Sequence, residues 1–215
     1  MLFQHYIIIP DMKSPLENTI WGASYGSVAA VQAAFDRLGR EYDAASMGSG
    51  VPAGAARALI PHLDPDAQGI DFGCGSGVLG NALRAAGLRR PIDGIDLSPV
   101  MLDLARETGC YRHLHRANLL VPGECPALAS PYDFAVSVGL IGDYVPYDVA
   151  LPHIVAALRP GAMLGFAVER RSTSSHALEK LMVKLGLNTI SETILPVPAG
   201  KLEAQFYHFF VARLA

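Results

Sequence analysis

Gly69-Ile70-Asp71-Phe72-Gly73-Cys74-Gly75-Ser76-Gly77-Val78-Leu79-Gly80 is the stretch that decides the fold of this chain. A short apolar run carries Asp71 near its end, alternating glycines follow at Gly73, Gly75 and Gly77, and an amphipathic segment begins at Val78. This is the pattern of a buried strand that breaks into a tight turn and feeds a helix. Glycine serves where backbone must turn sharply or pass close to a ligand that a Cβ would push away. The exposed amides at a helix start form a cradle for a polar ligand. A nucleotide-type cofactor is therefore expected on this turn.

Working outward, the sequence alternates between strand and helix signals. Strands are predicted over residues 68–72, 92–96, 113–117, 134–138 and 163–168, and helices over 78–86, 98–108 and 148–158. Ser98-Pro99 supplies an N-cap and a first-turn proline. A last helix is expected over 174–185, followed by two strands over 188–195 and 204–213. Upstream, Val31, Ala34, Phe35 and Leu38 recur at helical spacing within residues 28–41, and a second helix is read from Pro52 or Ala53 to His62. Alternating βα units imply an α/β fold, a doubly wound, Rossmann-like sheet of seven mostly parallel strands with helices on both faces. The last two strands, with no helix between them, are expected as an antiparallel hairpin at one edge. In such a sheet the ligand lies outside the carboxyl ends of the strands, where strand order reverses. Asp71, the glycines, Asp96, Asn118 and Ser137 fall at or just beyond strand ends and are expected around one crevice.

Composition bounds the rest. A chain of 215 residues fits one sizeable domain with a full core. Residues 1–52 read as an N-terminal arm with a covering helix or lid, and residues 53–215 as the cofactor-binding domain. Mean hydropathy is +0.27, and no apolar run approaches the ~18 residues a membrane span needs, so no membrane association is expected. The first ten residues lack a basic segment and a small-residue cleavage site, so no signal peptide is read. Cys74, Cys110 and Cys125 form no paired spacing, which points away from a disulfide framework and toward a cytoplasmic location. A net charge of −3 gives no electrostatic footprint for nucleic acid. His113 and His115 share one side of a strand but lack a third ligand, and no metal is expected.

Asp96 closes the second strand about 20 residues after the glycines, where an acid accepts from both hydroxyls of a ribose. Its alternative role is that of an acid favoured at the start of the helix that follows Ser98. Asn118 follows the third strand and can accept from an adenine amino group, or serve a turn. Gly75-Ser76-Gly77-Val78-Leu79-Gly80 also matches the G-x-G-x-x-G of nicotinamide enzymes, so the glycines alone leave two cofactors open.

Four ordered motifs separate them. Ile70 to Gly77, Gly94-Ile95-Asp96-Leu97-Ser98-Pro99-Val100-Met101-Leu102, Tyr132-Asp133-Phe134-Ala135-Val136-Ser137 and Leu158-Arg159-Pro160-Gly161-Ala162-Met163-Leu164 together resemble the class I S-adenosylmethionine-dependent methyltransferases. Within that family, Phe35-Asp36-Arg37-Leu38-Gly39-Arg40-Glu41-Tyr42-Asp43 and Gly109-Cys110-Tyr111-Arg112 resemble the Williams–Beuren-region-type subset, which supplies no substrate. The resemblance implies S-adenosyl-L-methionine as cofactor and S-adenosyl-L-homocysteine as product. It implies that backbone around Gly73, Cys74 and Gly75 passes the methionine portion, with Asp71 orienting its ammonium and Asp96 holding the ribose. Leu97 and Leu119 are implied against adenine with Asn118 at its edge, and Ser137 and Val138 near the sulfonium. Met101 and Tyr42 complete the implied cofactor set. Many relatives carry an acid where Asn118 stands, so adenine recognition is expected to be arranged differently here.

Methyl transfer is an in-line displacement at a carbon already activated by a sulfonium, and alignment of the nucleophile can supply about 7–11 kcal/mol of the barrier. A base is needed only for an acceptor that must lose a proton early. The catalytic residue is unknown from sequence; Asp143, Tyr144, Glu169 and Arg170 are the candidates beyond the fourth and fifth strands, and Tyr25 and Tyr42 are candidates to cover the cofactor. Gly139-Leu140-Ile141-Gly142-Asp143-Tyr144 stands where enzymes that methylate nucleobase or glutamine nitrogens carry Asn-Pro-Pro-Tyr or Asp-Pro-Pro-Tyr. A small-molecule acceptor is expected, with residues 42–52 as a lid. The competing readings are a non-catalytic module that binds S-adenosylmethionine or its product, and an NAD(P)-dependent oxidoreductase.

Overall fold

The computed structural model describes residues 27–42, 50–119, 131–141, 145–169, 175–197 and 205–215. Strand β1 (Gly69–Phe72), the opening of the decisive stretch, is buried along its whole length. It sits between β2 (Ile92–Asp96) and β4 (Tyr132–Ser137), parallel to both. The sheet has seven strands, with β3 (Tyr111–Arg116), β5 (Leu158–Glu169), β6 (Leu187–Val197) and β7 (Gln205–Leu214) completing it. Their order is β3-β2-β1-β4-β5-β7-β6. The first five strands are parallel to one another, and β7 runs antiparallel to both β5 and β6. The expected doubly wound sheet with a C-terminal hairpin is therefore present. Strand order reverses between β1 and β4, which opens a crevice at the carboxyl ends of β1, β2 and β4.

Two packed layers flank the sheet. On one face lie α2 (Val51–Leu59), α3 (Val78–Ala85) and α4 (Pro99–Glu107); on the other lie α5 (Tyr147–Ala156) and α6 (Ser175–Lys184). The strand period of two sorts the side chains between them. Along β5, Met163 and Ala167 join Leu59, Leu83 and Phe134 in the core beneath α2 and α3. Their neighbours Leu164, Phe166 and Val168 join Leu151, Ile154 and Leu178 beneath α5 and α6. Close packing appears at Gly69, where a Cβ would fall 2.0 Å from the ring of Phe134.

Among the boundaries that depart from the sequence-based expectation, three have a clear physical cause. The third strand, predicted over 113–117, runs from Tyr111 to Arg116, an edge strand whose mostly exposed or half-buried side chains leave no apolar alternation to read. The fifth begins at Leu158 rather than Met163, because a register shift lets Leu158 pair with Tyr132 before the ladder resumes at Met163. The helix predicted to reach His62 ends at Leu59 and tightens into a 3₁₀ turn over Ile60–His62. Below the crevice, Asp93 ties β2 to β3 and, across β1, to β4: it accepts from Arg112 Nε (3.0 Å) and Nη2 (2.8 Å) and from the Tyr132 hydroxyl (2.7 Å). Burial pushes this carboxyl up, but those hydrogen bonds outweigh it and hold Asp93 below the usual carboxylate range.

Candidate functional site

The turn after β1 is built by its glycines. Gly73, Gly75 and Gly77 all take positive φ, a conformation a side chain resists. The Gly73 and Cys74 amides donate to Ile95 O at 2.8 and 3.0 Å, which fastens the turn to the end of β2. The Gly75 amide donates to Asp96 Oδ2 at 2.8 Å, and the Ser98 amide donates to Asp96 Oδ1 at the same distance. Backbone amides thus hold both oxygens of Asp96, with acceptor capacity left over on the carboxylate. Burial pushes its carboxyl up, while the Ser98, Gly75 and Leu97 amides pull it down.

Ser98 also caps α4, its hydroxyl accepting from the Met101 amide at 3.1 Å and donating to Asp36. Asp36 belongs to α1 (Val28–Leu38), which crosses the open side of the crevice. Leu38 packs with Phe35 and Tyr42 against Met101 and Leu104, and Arg116 Nη2 donates to Gln32 Oε1 at 3.1 Å. The same helix also lines the crevice, through Val28, Val31, Gln32 and Phe35. About 830 Å³ of space lies between this helix, the glycine turn and the ends of the strands. Part of that space is open to solvent.

Of the predicted cofactor residues, Tyr42, Gly73, Gly75, Asp96, Leu97, Asn118, Leu119 and Val138 line this crevice. The other four, Asp71, Cys74, Met101 and Ser137, are buried behind it. Ser137 donates its hydroxyl to Phe72 O at 2.9 Å, joining β4 to β1. Met101 supports α1 from below. Cys74 packs with Leu102, Ala105, Tyr111 and Leu114, and burial with the nearby Asp96 and Asp71 pushes its thiol well up. Asp71 lies between Ile70 and Phe72 and so faces the opposite side of the sheet, where Tyr111 donates to its Oδ2 at 2.8 Å. Glu169 is the last residue of β5; Asp143, Tyr144, Arg170 and Tyr25, and residues 43–49 of the expected lid, lie outside the described residues.

Sequence reasoning missed the lining role of Val28, Val31, Gln32 and Phe35. Their i, i+3, i+4, i+7 spacing was a readable signal, a second stripe beside the one that packs on α4. Leu140 was missed as well; it sits over Gly73, 3.1 Å from where a Cβ would stand. Among the described residues no group of three metal-ligating side chains occurs, and no helix is long and apolar enough to cross a membrane.

The site has the parts a nucleoside-bearing cofactor requires: a carboxylate with free lone pairs at the end of β2, a turn without Cβ atoms, and apolar walls at Leu97, Leu119 and Val138. These features define a Rossmann-like methyltransferase scaffold. The chain belongs to the family described as Methyltransferase domain, whose match covers residues 45–182; S-adenosylmethionine is the cofactor the residues present fit. A similar curated protein is the ribosomal protein L11 methyltransferase of Edwardsiella ictaluri, 32% identical over 124 residues. That match covers 57% of this chain and 41% of the relative, so the chain spans about two-fifths of the relative's length. Among solved structures, the fold is similar to 1,6-didemethyltoxoflavin-N1-methyltransferase of Burkholderia thailandensis, solved with 1,6-didemethyltoxoflavin and S-adenosylhomocysteine. That likeness has a TM-score of 0.66 and 20% identity, and covers 87% of this chain and 88% of the other. It is also similar to magnesium protoporphyrin IX methyltransferase of Synechocystis PCC 6803, solved with bound S-adenosylmethionine (TM-score 0.57, 16% identity, 91% and 89% covered).

Proposed function

We propose that this protein is an S-adenosylmethionine-dependent methyltransferase with a small-molecule acceptor. The observation that carries the reading is Asp96, a carboxylate fixed by the Gly75 and Ser98 amides beside the glycine turn, at the rim of the crevice. The bound cofactor supplies a methyl carbon activated by its sulfonium. Around it, Asp96 holds the ribose, Leu97 and Leu119 pack on the base, and Asn118 meets its edge. Gly73 and Gly75 let the methionine portion lie against backbone. Val28, Val31 and Phe35 of α1, together with Leu140 and Val145, exclude water from the crevice. The chain's contribution to rate is then alignment of the acceptor in a dry site.

The cover of α1 supports a small acceptor, since it narrows access from the side where a folded protein would dock. A protein acceptor is the second reading, favoured by the similarity to an enzyme named for ribosomal protein L11. Transfer of labelled methyl groups into a cell extract separates the two: label in the fraction below about 1 kDa is the expected result, and label confined to protein overturns the small-molecule assignment. Calorimetry tests the cofactor itself. S-adenosylhomocysteine should bind and NAD should not, and Asp96→Ala should weaken S-adenosylhomocysteine by at least about tenfold, the loss expected when charge-assisted hydrogen bonds are removed. Binding of S-adenosylhomocysteine without transfer to any extract component would favour a non-catalytic binding module.

A further inference from the structure

Three glycines, two at the start of α3 and one in β2, make room for one side chain. A Cβ on Gly77 at the start of α3 would stand 3.0 Å from the ring of Tyr111; on Gly80 within α3 the distance would be 2.7 Å, and on Gly94 in β2 it would be 2.9 Å. The ring reaches this space from β3, a strand that contributes no side chain to the crevice. Its hydroxyl joins two groups that have no other partner of this kind. It accepts from the Gly80 amide at 3.2 Å, in the first turn of α3, where helix amides lack intrahelical acceptors. It donates to Asp71 Oδ2 at 2.8 Å, while Asp71 Oδ1 is buried with no hydrogen-bond partner. We propose that Tyr111 is a positioning residue for the cofactor turn, fixing α3 to an ionised Asp71 beneath the glycines; this rests on the cofactor assignment above.

The charge of Asp71 matters because the cofactor's amino-acid end carries an ammonium, and an ionised carboxylate beneath the turn favours it. Among the described residues, the titratable groups that act on Asp71 are Tyr111 from β3, Asp96 from the end of β2 and Cys74 from the turn, with no cation among them. Burial pushes the Asp71 carboxyl up to about 7; the Tyr111 hydroxyl works against it and Asp96 adds to it. Loss of the hydroxyl leaves a carboxyl that keeps its proton to higher pH.

Calorimetric titration of the full chain with S-adenosylhomocysteine from about pH 5.5 to 8.5 tests this. In the wild type, affinity should rise with a midpoint of about 7, the Asp71 value. In Tyr111→Phe, which keeps the ring and its packing, affinity at neutral pH should fall roughly fivefold and the midpoint should move about one unit alkaline. In Asp71→Asn the pH step should vanish, and adding Tyr111→Phe to that variant should change affinity less than about twofold, because the two act as one unit. A purely structural tyrosine would lower the melting temperature without moving the midpoint; an unmoved midpoint, or additive losses in the double variant, overturns the proposal. Should Tyr111→Phe fail to fold, a wild-type profile with no step near neutrality, or one that persists in Asp71→Asn, overturns it equally. If the wild type binds no S-adenosylhomocysteine at any pH, the cofactor assignment fails, and this proposal with it.

Discussion

Asp71→Asn should stabilise the ligand-free protein, and by an amount that grows with pH. The side chain is 1% exposed, one carboxylate oxygen has no partner, and its pKa is pushed from 3.8 to about 7 by burial. A carboxyl whose folded-state pKa is raised keeps its proton in the folded chain while the unfolded chain has released it. Its favourable contribution is therefore complete below about pH 4 and is lost as pH rises through about 7. The gap of about three units corresponds to about 4 kcal/mol of penalty at pH 8, and to a little under 2 kcal/mol at pH 5. Asparagine does not titrate, so the constant cost of its imperfect hydrogen bonding cancels when two pH values are compared. The difference between variant and wild type should widen by about 2–3 kcal/mol between pH 5 and pH 8. Urea unfolding at pH 5, 6, 7 and 8 measures it through the midpoints, provided the slopes match. Stability curves that run parallel across that range would refute the argument, because they would mean that Asp71 ionises normally in the fold.

Ser98→Ala removes both the N-cap of α4 and the hydroxyl that reaches Asp36. It should cost about 1 kcal/mol in urea unfolding and make residues 28–38 more accessible to limited proteolysis; unchanged cleavage would separate α1 from the cap. Gly69→Ala places a methyl 2.0 Å from the Phe134 ring in a fully buried strand. It should cost at least about 2–3 kcal/mol, and Phe134→Leu in the same chain should recover part of that loss; a variant as stable as the wild type would show that β1 and β4 can separate freely.

The parts of the fold that the sequence made legible are those where burial imposes a pattern. Strand β2 runs over Ile92–Asp96 as expected, and Ser98 caps α4 as its position before Pro99 implied. Strand β3 was misplaced because residues such as Arg112, His113 and Arg116 face solvent at a sheet edge, where alternation of apolar and polar residues has nothing to act on. The start of β5 was hidden because Pro160 and Gly161 look like a turn. Gly161 does take a positive φ, yet the ladder runs on either side of it. In the site, the residues placed from strand ends fall into two sets. Asp96 is the last paired residue of β2, Leu97, Asn118 and Leu119 follow the last pairs of β2 and β3, and all four reach the crevice, whereas Asp71 lies one residue inside the end of β1 and obeys its alternation. Tyr111 was invisible as a partner of the glycines, since the contact links residues some 30 positions apart through the thickness of one layer.

Ser98 stands between two carboxylates, its hydroxyl on Asp36 and its amide on Asp96. The residue that orients Asp96, the acid proposed for the diol, is therefore the one that secures α1. A ligand that tightens Asp96 must tighten α1, and the factor by which it does so equals the factor by which a docked α1 raises affinity for the ligand. Occupancy of the crevice can accordingly be read at a distance, from hydrogen exchange in residues 28–38, without any contact between the ligand and the backbone being measured.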